Sequence, residues 1–244
     1  MNMKTPSKQL IIFDFDNTLV DNDTDMELIE LFPQDKRLDI YNKMDELVDD
    51  WIVFMKYVYK EMIKCNISIN DINNKLHSIQ LSPKFEELLQ YLYKNKNEYE
   101  VIVVSGANTY AIYTILDKLQ ITYMFDGIYA NPAFQDDEEL IHVDKYHKHS
   151  CMKCDSCMCK GEFMKEFLNG KDRCYKRIIF VCDGGNDFCL ASKMKSKEDI
   201  VFVRKEYRLY KKLFQKGMRK DIKCNVCVWE NGIDILNVLR KYNK

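Results

Sequence analysis

Four short runs of the chain are apolar at nearly every position rather than at alternate ones: Leu10–Phe13, Val101–Val104, Arg177–Val181 and Ile200–Val203. Runs of this kind, rich in β-branched residues, suit strands buried on both faces, as in a parallel sheet. Between them the apolar residues recur at helical spacing. Ser82-Pro83 is expected to open one helix, with Phe85, Leu88, Leu89, Leu92 and Tyr93 at helical spacing, and Thr109–Lys118 and Lys160–Phe167 predict two more. Strands alternating with helices predict an α/β fold with a doubly wound parallel sheet, whose ligand site lies at the carboxyl ends of the strands.

From Asp25 to about Leu81 the strand pattern stops. Asp25–Phe32, Asp39–Cys65 and Ile69–Ile79 all read as helix, and Leu47, Trp51, Phe54, Val58, Met62 and Cys65 share one face. A helical block placed after the first strand predicts a cap over the active end of the sheet. The expected division is a core of residues 1–22 and 82–244 and a cap of residues 23–81.

Composition narrows the function classes. Lys+Arg 37 against Asp+Glu 38 gives a net charge of −1, so nothing favours a nucleic-acid partner. The first eight residues are short and polar, and the apolar run behind them ends at Asp14, which does not make a secretion signal. No stretch approaches the roughly 18–20 apolar residues of a membrane span. The expectation is a cytoplasmic protein with no membrane partner, whose ten cysteines are reduced thiols or metal ligands rather than a disulfide framework.

Each of the first three strands runs into a polar cluster: Asp14-Phe15-Asp16, then Ser105-Gly106-Ala107-Asn108, then Asp183-Gly184-Gly185-Asn186-Asp187, with Lys160 at a helix start between the last two. The order DxDxT (Asp14, Asp16, Thr18), Ser, Lys, DGGxD resembles the haloacid dehalogenase superfamily of phosphatases. Longer stretches, IIFDFDNTLVDNDTD, VIVVSGANTYAI, YHKHSCMKCDSCMCKG and VCDGGNDFCLA, look like the phosphoethanolamine/phosphocholine phosphatase family, which includes pyridoxal-phosphate phosphatase relatives. The resemblance runs from Gln9 to Trp229 and is weakest in the helical block.

The resemblance implies a Rossmann-like core with an inserted helical (C1-type) cap, and a Mg²⁺-dependent hydrolysis of a small-molecule phosphate ester. Asp14 would be the nucleophile that forms an aspartyl-phosphate, and Asp16 the acid and base. In an extended segment residues i and i+2 point the same way, so both carboxylates can face one phosphorus. Asp14, the Asp16 carbonyl and Asp183 would hold Mg²⁺, with Asp187 orienting a metal-bound water. Lys160 would offset the Asp14 charge, Ser105 and the Gly106 N–H would bind phosphate oxygens, and Thr18 would fix the loop. Asn108 belongs to the same substrate-side stretch. In the family an acid after DxDxT helps to recognise a cationic headgroup, and Asp25 matches it. A second such acid would stand where this chain has Gly106. Each residue also has a plainer role: Ser105 as a helix cap, Lys160 as a solvated helix-start lysine, Asp187 as the N-cap of a helix beginning at Phe188, and Asp25 beside a helix dipole.

Cys151, Cys154, Cys157 and Cys159, with His142, His147 and His149 upstream, leave three readings open. These are a zinc site completed by Cys224 and Cys227, reduced thiols packing a loop, and redox regulation. Two other functions also stay open at this point: a phosphotransferase or phosphomutase sharing the aspartyl-phosphate step, and a non-catalytic metal-binding module on the same scaffold.

Overall fold

The computed structural model describes residues 8–47, 49–154, 157–169 and 174–242. Strands β1 (Gln9–Phe13), β2 (Tyr99–Asn108), β3 (Gly127–Asn131), β6 (Arg177–Cys182), β7 (Ile200–Arg204) and β8 (Asn225–Trp229) form one parallel sheet in the order β3-β2-β1-β6-β7-β8. A small antiparallel hairpin, β4 (Ala133–Gln135) and β5 (Ile141–Val143), stands apart from it.

The continuous apolar runs are explained by two separate cores, one on each face. Ile11 and Phe13, Val101 and Val103, Ile179 and Val181, and Ile200 and Phe202 point into the larger core. Their neighbours Leu10 and Ile12, Ile102 and Val104, Phe180 and Cys182, and Val201 and Val203 point into the smaller one. A strand whose side chains alternate between two dry faces has no position at which a polar residue is free of cost. Polar residues therefore wait until the strand ends.

Helices α5 (Phe85–Lys94), α6 (Thr109–Lys118) and α10 (Gly232–Tyr242) cover the larger core, and α7 (Lys160–Asn169) and α8 (Phe188–Lys193) cover the smaller one. A short α9 (Arg208–Tyr210) follows β7. Between β1 and α5 the chain forms α1 (Thr24–Ile29), α2 (Gln34–Glu46), α3 (Trp51–Lys64) and α4 (Ile69–Ser78). It leaves and returns through a short ribbon: Val20 bridges Leu81, Asp21 N–H donates to the Gln80 carbonyl at 3.1 Å, and Ser82 N–H to that of Leu19 at 3.0 Å. The helical block is tied to the rest by Lys145–Asp50 at 2.7 Å, Lys56–Asp144 at 2.6 Å and the Tyr110 hydroxyl on Asn73 at 2.7 Å.

Three sequence expectations need correction. The stretch Asp39–Cys65 is not one helix: it breaks after Glu46, and Asp50 restarts it by accepting from Val53 N–H at 3.3 Å. Ser82-Pro83 does not open α5, because Lys84 takes a left-handed conformation (φ 65°) and the helix begins at Phe85. The strands β3 and β8 were not expected at all. They are the sheet edges, with one side open and mixed burial, so they lack the continuous apolar signal of the central strands.

Candidate active site

β1 pairs with β2 on one side and β6 on the other, so the strand order reverses at its carboxyl end. A crevice is expected there. Asp14 is the first residue past the strand, extended (φ −69°, ψ 164°), with its N–H still bonded to the Val181 carbonyl at 3.0 Å. The next turn, Phe15–Leu19, keeps Asp16 extended (φ −63°, ψ 137°) and puts Asn17 in the left-handed region (φ 52°), which asparagine tolerates better than most residues. Arg204 fixes this turn by donating to the Asn17 carbonyl at 2.6 Å and pairing with Asp21. Arg204 itself lies over the Trp229 and Tyr207 rings.

Lys160, 1% exposed, places its ammonium 2.7 Å from Asp14 Oδ1 and 2.6 Å from Asp187 Oδ1. Burial works against this cation, but the two carboxylates outweigh it and hold its pKa above the usual value. A solvated helix-start lysine is therefore excluded. Asp187 does not cap α8 with its side chain. Its Oδ2 instead accepts from Gly184 N–H at 2.7 Å, which folds the DGGND loop back on itself. Thr18 donates to Asp183 Oδ1 at 3.2 Å, joining the first loop to the last.

Oxygen atoms of Asp14, Asp183 and Asp187 all lie within 4.8 Å of one another in buried surroundings. Burial and the neighbouring carboxylates push Asp183 up to about 8 and Asp187 up to about 7. Three crowded carboxylates against one ammonium leave an excess of negative charge. Hard oxygen donors in that state fit a small divalent cation such as Mg²⁺. Asp16 accepts from Thr24 N–H at 3.0 Å, and burial, reinforced by Asp23 and Asp25, holds its carboxyl well above the usual range.

At the end of β2, Ser105 Oγ accepts from Ala107 N–H at 3.0 Å, and the Gly106 carbonyl accepts from Asn131 at 2.6 Å. Asn108 caps α6 through Ala111 N–H at 3.0 Å and donates to the Tyr59 hydroxyl of α3 at 3.0 Å. A Cβ built at Gly106 would meet Asn186 Nδ2 at 3.6 Å, an ordinary contact, so the backbone there does not require glycine for close approach. Asp25 is buried in α1. One oxygen accepts from the Trp51 indole at 2.6 Å, while the other, with Thr24 Oγ1, has no hydrogen-bond partner among the described residues. Burial and the Asp23 charge push Asp25 up to about 7.

A family model described as "Putative Phosphatase" matches residues 9–242, almost the whole chain. The chain belongs to this phosphatase family. The phosphatase is 31% identical over 237 residues to the bovine (Bos taurus) pyridoxal phosphate phosphatase PHOSPHO2, covering 96% of this chain and 98% of the relative. It is 27% identical over 258 residues to the chicken (Gallus gallus) phosphoethanolamine/phosphocholine phosphatase, covering 100% and 92%. Among solved structures, a phospho-aspartyl intermediate analogue of phosphoserine phosphatase shares the fold with a TM-score of 0.60 and 21% identity, covering 96% of this chain and 99% of that one. The phosphatase is accordingly a phosphoric monoester hydrolase with the haloacid dehalogenase fold.

Sequence reasoning did not assign Arg204, Tyr59, Asn131 or His147 to this region, nor Trp51 beyond its place on an apolar face. His147 Nε2 accepts from Cys159 N–H at 3.1 Å and so steadies the residue before Lys160. Arg204, Tyr59, Asn131 and Trp51 arrive from distant elements, and no local spacing announces them; His147 stood out only beside the cysteines.

Proposed function

We propose that this phosphatase hydrolyses a small phosphate monoester in two displacements at Asp14, and that its substrates are of the pyridoxal 5′-phosphate, phosphoethanolamine or phosphocholine type. The observation that carries the reading is the buried ion cluster in which Lys160 joins Asp14 and Asp187. Both Lys160 and the Phe15 N–H, at 2.7 Å, engage Asp14 Oδ1. Oδ2 is then the oxygen with freedom to attack.

In the first step an Asp14 Oδ2–phosphorus bond forms, the ester P–O bond breaks, and Asp16 gives its proton to the leaving oxygen. Burial and the nearby Asp23 and Asp25 carboxylates favour the protonated form of Asp16, which is the form this step requires. In the second step Asp16 takes a proton from water, the water oxygen bonds to phosphorus and the Asp14–phosphorus bond breaks. Lys160 holds one oxygen of Asp14 throughout, so the nucleophile does not turn away from the phosphate. Ser105 and the Gly106 N–H bind phosphate oxygens. Mg²⁺, held by Asp14, Asp183 and the Asp16 carbonyl with Asp187 alongside, would supply charge neutralisation for the anionic phosphate.

Asp25 supports the substrate class. A buried carboxylate with one oxygen unsatisfied beside Trp51 is suited to an ammonium or other polar group on the substrate body. The four-helix block 23–81 would act as the lid that limits substrates to small molecules. Phosphate release with Mg²⁺ from a panel of phosphoethanolamine, phosphocholine, pyridoxal 5′-phosphate and phosphoserine tests the reading. Release from at least one of the first three is expected; release from none of them would overturn the substrate class.

A further inference from the structure

Outside the carboxylate site, four thiols converge on one point. Cys151 and Cys154 lie in the loop before α7, Cys159 is the residue just before that helix, and Cys189 is in the first turn of α8. The Cys151–Cys189, Cys154–Cys159 and Cys159–Cys189 sulfur distances are each 3.6 Å, and all four sulfurs lie within 4.8 Å of one another. None of the four is in a disulfide, whose bond would be about 2.05 Å. A tetrahedral ion with metal–sulfur bonds of about 2.3 Å needs sulfurs about 3.8 Å apart. The cluster has that size with only small adjustments.

The surroundings match a metal thiolate. Cys159 and Cys189 are buried, which keeps water from their sulfurs. Glu162 N–H donates to Cys159 Sγ at 3.3 Å, a contact that stabilises a thiolate. Lys153, Lys193 and Lys212 line the hollow beside Cys151 and Cys189, placing cations where four thiolates on a divalent ion leave excess negative charge. Gly161 permits the close approach: a Cβ there would lie 2.8 Å from Cys189 Sγ. The histidines are not part of the cluster. His142 bonds to Asp136 at 2.6 Å within the β4–β5 hairpin, and His147 is spent on the Cys159 backbone. Cys224 and Cys227, just before and within the edge strand β8, do not belong to it either.

We propose that Cys151, Cys154, Cys159 and Cys189 bind one zinc ion in a closed structural site that fastens the Lys160 loop to α8. Soft thiolates select zinc over Mg²⁺, and four protein ligands leave no open position for substrate. The placement gives the site its purpose. Cys159 precedes Lys160, and Cys189 follows Asp187 by two residues, so the ion would hold in register the two segments whose side chains meet at 2.6 Å.

The test is metal analysis by mass spectrometry of the full chain, prepared without chelator and dialysed against Mg²⁺ buffer. About one zinc per chain is expected, released as four thiols are titrated with an organomercurial. Cys189→Ser and Cys151→Ser should each lose most of the zinc, while Cys174→Ser, at an exposed cysteine, should keep it. The wild-type measurement decides, since it does not depend on whether a variant folds. Wild-type protein that fails to retain zinc after addition of zinc under reducing conditions would overturn the proposal. So would iron in its place, or disulfides among these four cysteines in freshly prepared protein.

Discussion

Two clusters share the same two stretches of backbone and differ in kind. Lys160 and Asp187 belong to a group of opposed charges, while Cys159 and Cys189, one and two residues away, belong to a group of like, soft side chains. The carboxylate cluster is under electrostatic tension: buried acids held above their usual pKa, with one ammonium shared between two of them. Such a group gains by meeting a divalent cation. The thiol cluster has no opening toward a substrate in this reading, and what it can supply is position. Groups that react and groups that hold can thus be told apart by charge balance, even when they adjoin in sequence.

The strongest way to break this comparison is at the reacting group. Asp14→Asn is nearly isosteric but cannot attack phosphorus, and it should lower the phosphate-release rate by at least about 10⁴-fold with an unchanged circular dichroism spectrum. Next is Lys160→Met, which leaves buried carboxylates without their cation. Turnover should fall about 10³-fold, and the melting temperature measured without Mg²⁺ should drop, since removing one partner of a buried ion pair costs about 3–5 kcal/mol. A holding residue should matter less. Cys189→Ser should reduce kcat about 10-fold, in the range expected for a group supporting a site indirectly. An effect as large as that of Lys160→Met would erase the distinction.

The same contrast governs what the sequence discloses. The carboxylates were legible because each sits at the end of a strand buried on two faces, where the change from apolar to polar is abrupt. The central strands β1, β2, β6 and β7 were legible for the same reason, whereas β3 and β8 have one open edge and a diluted pattern. The thiol cluster was only partly legible. Three of its members lie within nine residues, but local spacing suggested Cys224 and Cys227 as completion, and the fourth thiol comes from α8 through tertiary packing. Trp51 and Arg204 were hidden likewise: both fit a bland local role, and only the fold brings them to Asp25 and to the Asn17 turn.

Smaller effects sharpen the substrate side. Asp25→Ala should raise KM for phosphoethanolamine about 10-fold while changing KM for a neutral phosphate ester less; equal changes would leave Asp25 with a structural role alone. Asp25 also has a pH signature. Its folded pKa of about 7 lies above the ordinary aspartate value of 3.8, so between those values the unfolded chain releases a proton that the folded protein keeps. Stability from this group therefore declines as pH rises through that window and is level above it. Asp25→Asn, which has no charge to lose, should match wild type near pH 4 and exceed it above pH 7, by on the order of 4 kcal/mol, in thermal melts across pH. A difference that shrinks as pH rises would contradict the burial argument.

The central claim is that phosphate passes through a covalent link to Asp14 rather than directly to water. The stereochemical course at phosphorus tests it without requiring the intermediate to accumulate. A phosphorothioate ester made chiral with oxygen isotopes would be hydrolysed in water carrying the third isotope, and the handedness of the released thiophosphate determined. Two in-line displacements predict net retention of configuration; inversion would mean a single direct attack by water and would contradict the account.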